Sequence, residues 1–120
     1  MKHVAMVGTR TQNKDSLMHI GRLFMECWNR LSPCDYVISG GCGGGADYWA
    51  KVKCRELGRT YIEVPALWDF YGKIAGPRRN KVIAELCTHM VAFWDGKSPG
   101  TRNAIEEAMK LNKPVWIVYV

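Results

Sequence analysis

The stretch YVISGGCGGGADYWA, residues 36–50, passes from an apolar segment through five glycines and one cysteine into a segment with helical spacing. Val37 and Ile38 read as a buried strand, and Trp49, Ala50, Lys53 and Leu57 continue as one side of a helix that Gly58 closes at its C′ position. Glycines at such a junction can adopt positive φ, let the backbone approach a ligand closely, and aim N–H groups at an anion beside the positive helix end. A strand, a permissive loop and a helix in that order form half of a parallel β-α repeat.

The repeat continues in both directions. Upstream, HVAMVG reads as a first buried strand, and Leu17, Ile20, Phe24, Cys27 and Leu31 follow at spacings of three and four, predicting a helix that ends before Pro33. Downstream, TYIEV is a third strand ended by Pro65. PALWDFYGKIAG, residues 65–76, then reads as a long aromatic-rich loop placed to cover a ligand. Pro77 suits the N1 position of a third helix running to Cys87, HMVAFW is a fourth strand, Thr101 is the expected cap of a fourth helix to Leu111, and PVWIVYV is the last strand. The alternation predicts an α/β protein: one Rossmann-like domain over residues 1–120, with a five-stranded, mainly parallel sheet and helices on both faces. In that architecture ligands bind at the C-terminal strand ends, where the strand order reverses.

A chain of 120 residues has room for one core. At 48% hydrophobic and 23% charged residues the composition excludes a disordered chain. No apolar run approaches the ~20 residues needed to span a bilayer. The N-terminal segment enters a strand directly, so the expected location is the cytoplasm, without a membrane partner. The formal charge of +6 favours anionic partners. Lysine and arginine are nevertheless spread along the chain, the densest cluster being Arg78, Arg79 and Lys81, which disfavours a dedicated nucleic-acid groove. Five cysteines without a C-x-x-C pair argue against a disulfide framework or a zinc knuckle, and three scattered histidines give no ligand pattern, so no metal is expected. Cys27, Cys54 and Cys87 fall in amphipathic segments as buried thiols; Cys42 sits in the glycine loop with no histidine near it in sequence.

Four loops on the expected functional edge carry phosphate-binding chemistry. They are Gly8, Thr9 and Arg10 after the first strand; Gly40, Gly41, Gly43, Gly44 and Gly45 after the second; Arg79 and Asn80 at the third helix; and Asp95, Ser98, Gly100 and Thr101 after the fourth strand. Asp47 and Asp95 are candidates to bind ribose hydroxyls, Asp47 equally a charge on the helix dipole. Trp68, Phe70, Tyr71 and Trp94 are candidates to stack on a base, with core packing the other reading. The loop lacks the G-K-[ST] ending of a P-loop and follows the second strand, where a dinucleotide fold uses the first. A nucleoside triphosphatase and an ordinary NAD dehydrogenase are thereby excluded.

VISGGCGGGAD, VPALWDFYGKIAGPRRN and VAFWDGKSPGTRNAIEEA, in that order and spacing, resemble the YspA-like (cpYpsA-related) branch of the SLOG superfamily, a Rossmann-like group of nucleotide-ligand binders. The resemblance covers nearly the whole chain. It implies that Arg79 and Asn80 belong to the site, that the ligand is a nucleotide or an NAD- or ADP-ribose-derived molecule, and that the protein acts as a sensor or sequesters its ligand, with no cofactor required. It also implies a homo-oligomer. Related LOG phosphoribohydrolases, nucleotide N-glycosidases, pair an arginine with a glutamate. Arg79 matches that arginine, but the glutamate position is Ala104, and Glu107 lies one helical turn beyond, a displacement of ~5 Å. The expectation is therefore binding without catalysis, with hydrolysis by Arg79 and Glu107 as the alternative. The DNA-processing protein A group supplies a second alternative, single-stranded DNA binding, although no basic groove with interleaved aromatics is visible here.

Overall fold

Strands β1 (His3–Gly8), β2 (Tyr36–Ser39), β3 (Thr60–Glu63), β4 (His89–Trp94) and β5 (Val115–Tyr119) form one sheet in the order β3-β2-β1-β4-β5. Every adjacent pair is parallel, so the sheet is parallel throughout, not mainly so. The computed structural model describes residues 2–30, 35–41 and 44–120. Helices α1 (Lys14–Arg30), α2 (Ala46–Leu57), α4 (Ala75–Leu86) and α5 (Pro99–Lys110) fill the crossovers, and a short α3 (Trp68–Tyr71) with a 3-10 turn (Gly72–Ile74) leads into α4. Leu31, Pro33, Cys34, Cys42 and Gly43 lie outside the described residues.

Successive side chains on a strand point to opposite faces, and the two central strands are apolar on both. Val4 and Met6 of β1 and Val91 and Phe93 of β4 pack with Phe24 and Cys27 of α1 and Ala50 and Cys54 of α2. Ala5, Val7, Met90 and Ala92 pack on the other face with Ile83 and Ala84 of α4 and Ala104, Ile105 and Ala108 of α5. Phe24 is fixed between Trp28 and Phe93, each ring centroid 5.8 Å away, so truncating it to alanine costs about 3–5 kcal/mol. Burial pushes the Cys27 and Cys87 thiols up, which keeps them protonated and inert. Gly58 ends α2 in the left-handed region at φ 65°, with the Arg59 N–H donating back to Cys54 O at 2.9 Å. No helix among the described residues is long and apolar enough to cross a membrane.

Three local readings are corrected. Much of residues 65–76 is helical: the N–H groups of Phe70 and Tyr71 bond to Leu67 O at 3.0 and 2.9 Å, Gly72 at φ 57° breaks that turn, and the chain re-forms a 3-10 turn and then α4 from Ala75. Proline and glycine marked this segment as a loop, yet local backbone bonds are enough to wind it between them. Pro77 is accordingly the third residue of α4, not N1; a first-turn residue has no intrahelical N–H bond to lose. At α5, Ser98 holds the N-cap position and Pro99 is N1, so Thr101 is a buried first-turn residue and not the cap.

Candidate functional site

The strand order reverses between β1 and β4, because the crossovers after β1 and β2 step one way across the sheet and β4 and β5 lie on the other side. Above that point the ladder continues one step, with Thr9 N–H donating to Phe93 O at 2.9 Å, and then the two chains part. A cleft of about 280 Å³ opens there. Gly8, Thr9 and Arg10 line it from the end of β1, Gly40 from the end of β2, and Asp47 from the first turn of α2. Arg79 and Asn80 enter from α4, and Ser98, Gly100 and Thr101 from the start of α5. Its apolar floor is Val7, Ile83 and Ala104, of which Ala104 stands at the glutamate position of the hydrolases and Val7 and Ile83 gave no signal in sequence beyond their place in the core.

Asn80 organises the α4 side. Its side chain is 5% exposed; its amide nitrogen donates to Gly100 O at 3.1 Å and Asn103 Oδ1 at 2.9 Å, and its oxygen accepts from Arg79 Nε at 3.0 Å. Arg79 Nη1 reaches across to Gly40 O at 3.3 Å. One buried amide thus ties α4 to α5 and sets the plane of the guanidinium. Asn103, which completes this tie, gave no signal in sequence because its role depends on how the two helices pack.

The β4–α5 loop is held by Asp95. One carboxylate oxygen accepts from the N–H groups of Lys97 at 2.8 Å and Ser98 at 2.7 Å, and the other accepts from the Ser98 hydroxyl at 3.0 Å. These bonds, the Ser98 N–H first, hold the Asp95 carboxyl below its ordinary range. Asp95 therefore shapes the loop and does not line the cleft, contrary to the expectation of a ribose ligand. Because the Ser98 hydroxyl is turned to Asp95, it makes no cap bond to α5, and the first turn of that helix borders the cleft.

The glycine loop divides its labour. Gly40 lines the cleft; Gly41, Gly44 and Gly45 do not. A Cβ on Gly44 would collide with the carbonyl oxygen of Thr11, whose N–H donates to Gly44 O at 2.8 Å. At Gly45, φ is 151° and a Cβ would lie 2.5 Å from Thr9 O. These two positions are glycine so that the β2–α2 and β1–α1 loops can touch backbone to backbone. Gly41 fits against the Glu63 side chain, which also pairs with Lys51 at 3.7 Å. The place of Gly43 lies outside the described residues.

A polar support under this loop was not anticipated. Ser39, fully buried at the end of β2, shares a hydrogen bond with the Tyr61 hydroxyl and accepts a long one from Gly41 N–H at 3.4 Å. Burial, reinforced by the nearby Asp47 and Glu63 carboxylates, pushes the Tyr61 hydroxyl up to about 12. Only the parallel register of β2 and β3, which sets Val37 beside Tyr61, brings these groups together.

The expected base-stacking aromatics do not line the cleft. Trp68 lies on Gly76, Tyr71 on Arg78, and Trp94 donates from Nε1 to Ser98 O at 3.1 Å, bracing the β4–α5 loop. Glu107 also stays outside the cleft, paired with Lys110 at 3.2 Å.

A five-stranded parallel sheet with helices on both faces and a cleft of mixed polar and apolar lining at its switch point defines a single Rossmann-like α/β unit. In an alignment of 87 positions that takes in 66% of this chain and 67% of the other, the chain is 37% identical to the gene 61 protein of Mycobacterium phage D29; the chain belongs to the family of that phage protein. No family model matches. Among solved structures, the molybdenum cofactor binding protein from the phototrophic bacterium Rippkaea orientalis aligns with a TM-score of 0.69 at 18% identity, over 99% of this chain and 77% of that one. The molybdenum cofactor carrier protein from Chlamydomonas reinhardtii aligns with a TM-score of 0.68 at 22% identity, over 98% and 76%. At such identities the likeness is one of fold.

Proposed function

We propose that this chain is a SLOG-type protein that binds a small phosphorylated ligand of the nucleotide class in the switch-point cleft, as a sensor or by sequestering it. The observation that carries this reading is the meeting of Arg79, oriented by Asn80, with the uncapped first turn of α5 at one cleft. A guanidinium offers planar, paired donors to a phosphate, and a helix N-terminus adds partial positive charge, so the two together suit a phosphoryl group. Asp47 and Thr101 supply hydroxyl-binding capacity beside it, and a volume near 280 Å³ suits a small molecule over a polymer. The two structural relatives are named for molybdenum cofactor, which makes that cofactor a further ligand to try.

Binding is favoured over N-glycosidic hydrolysis because the α5 turn facing the cleft carries Ala104, while Glu107 is held by Lys110 outside it. An oxocarbenium-like centre needs a carboxylate in contact. Native mass spectrometry of the purified chain with AMP, IMP, NAD, ADP-ribose and cyclic ADP-ribose, and separately with molybdenum cofactor, tests the proposal. An intact nucleotide complex supports it. Release of free base with ribose 5-phosphate favours the hydrolase. Retention of molybdenum cofactor alone moves the ligand class to that of the structural relatives. Silence with every small molecule, together with a gel shift of a single-stranded oligonucleotide, favours the DNA-binding alternative.

A further inference from the structure

Two helix starts border the cleft, and they differ in charge. The first turn of α2 carries Asp47, whereas the first turn of α5 carries no acidic residue. The two helices also belong to opposite faces of the sheet. Ala46 and Ala50 pack α2 on one face, and Ala104, Ile105 and Ala108 pack α5 on the other, beside α4. Arg79 and Thr101 thus reach the cleft from one side and Asp47 from the other.

Glycines bring Asp47 there. Gly44 and Gly45 lie against the backbone of Thr11 and Thr9, and a Cβ on Gly8 would stand 3.2 Å from that of Ala46 and 2.8 Å from Phe93 O. Three missing side chains let the start of α2 settle on the end of β1. The residue after Ala46 is Asp47, which joins the cleft wall with only 9% of its surface exposed. Among the described residues lining the cleft, Asp47 alone is acidic, and Arg10 and Arg79 are basic. A carboxylate accepts hydrogen bonds from hydroxyl and amino groups and repels a phosphoryl group, and burial leaves that repulsion poorly screened by salt. In a cleft of about 280 Å³ a second phosphoryl group has little room to avoid it.

On the reading of the cleft as a phosphate site, we infer that Asp47 selects the ligand by charge. A single phosphoryl group sits on the side of Arg79 and α5, a neutral group bearing hydroxyl or amino donors faces Asp47, and ligands with a second phosphoryl group are refused. The described glycines of the β2–α2 loop, on this assignment, deliver a carboxylate and do not cradle a phosphate.

Titration calorimetry of the whole chain with AMP, GMP, CMP and UMP, each beside its own diphosphate, reads the selection as a ratio within one base. The wild type should hold its best monophosphate about 30-fold more tightly than the matching diphosphate. Asp47→Asn, which keeps the shape and removes the charge, should bring that ratio below about threefold, mainly by tightening the diphosphate. Asp47→Glu, which keeps the charge, should keep the preference, and circular dichroism checks that both variants fold. A diphosphate bound by the wild type as tightly as its monophosphate overturns the inference and leaves the phosphate reading standing. A ratio that a folded Asp47→Asn leaves unchanged does the same. Absence of binding with every mono- and diphosphate, or affinity indifferent to Arg79→Ala, overturns the phosphate reading itself and this inference with it.

Discussion

Asn80 Oδ1 accepts the Arg79 Nε–H at 3.0 Å while the same side chain donates to Gly100 O and Asn103 Oδ1, so neighbours in sequence become a bracket between two helices. Both line the cleft, the arginine partly exposed and the asparagine buried against α5. Asn80→Ala strips partners from three polar groups in a part-buried setting and should cost about 1–3 kcal/mol of stability. Urea unfolding measures this. An unchanged midpoint would show that solvent replaces the amide.

Arg79→Ala should separate from that variant. Its guanidinium is only partly buried, so the fold should tolerate the loss, whereas affinity for a bound nucleotide such as AMP should fall about 10- to 100-fold, as expected for a charge-assisted contact. Titration calorimetry on both variants distinguishes a ligand contact from a structural one. Arg79→Lys, which keeps the charge but not the planar fork, should recover part of the affinity.

Two glycines, Gly45 behind the cleft and Gly100 lining it, should respond in opposite senses. Gly45→Ala places a methyl against Thr9 O at a φ that alanine resists, and should destabilise by about 2 kcal/mol or more. Gly100→Ala meets nothing within 4 Å in the first turn of α5, and should stabilise by up to about 1 kcal/mol through helix propensity while narrowing the cleft. Paired measurements of the melting temperature and ligand affinity check this; Gly100→Ala should raise the first and lower the second.

Tyr61 gives the protein a dependence on high pH. Its folded-state value, about 12, lies above the ordinary 10.0, so the folded chain holds the proton more tightly. The associated stability is complete below pH 10 and is lost as the pH rises toward 12. Tyr61→Phe should flatten that alkaline slope and, by leaving the buried Ser39 hydroxyl poorly partnered, cost about 1 kcal/mol at neutral pH. Thermal melts across the alkaline range, wild type against variant, measure both effects.

Asp95 acts in the other direction. Its carboxyl is held below the ordinary 3.8, so its contribution is complete above that value and disappears as the pH falls through the lower folded value. Asp95→Ala should loosen the β4–α5 loop, increase amide exchange at Lys97 and Ser98, and remove this acid sensitivity. NMR titration of the carboxyl carbon provides the check.

Local pattern made the fold legible. Continuous apolar strands such as HVAMVG and helices with Ile20, Phe24 and Cys27 at spacings of three and four announce a parallel α/β sheet, because burial on one or two faces imposes its period on the chain. The loop sequences around Gly8, Gly40, Arg79 and Ser98 also carried their address, since every strand-to-helix turn of such a sheet lies on one edge. The division of roles within those loops depended on packing. Gly44 and Gly45 are spent on the backbone of Thr9 and Thr11, Asp95 on its own loop, and Asn80 on Gly100 and Asn103. The strand order, which puts the switch point between β1 and β4, was likewise absent from any local pattern. Periodicity reports which face of an element is buried, but the partner of a polar group or a missing Cβ is set by chain segments far away in sequence, and only their packing together decides it.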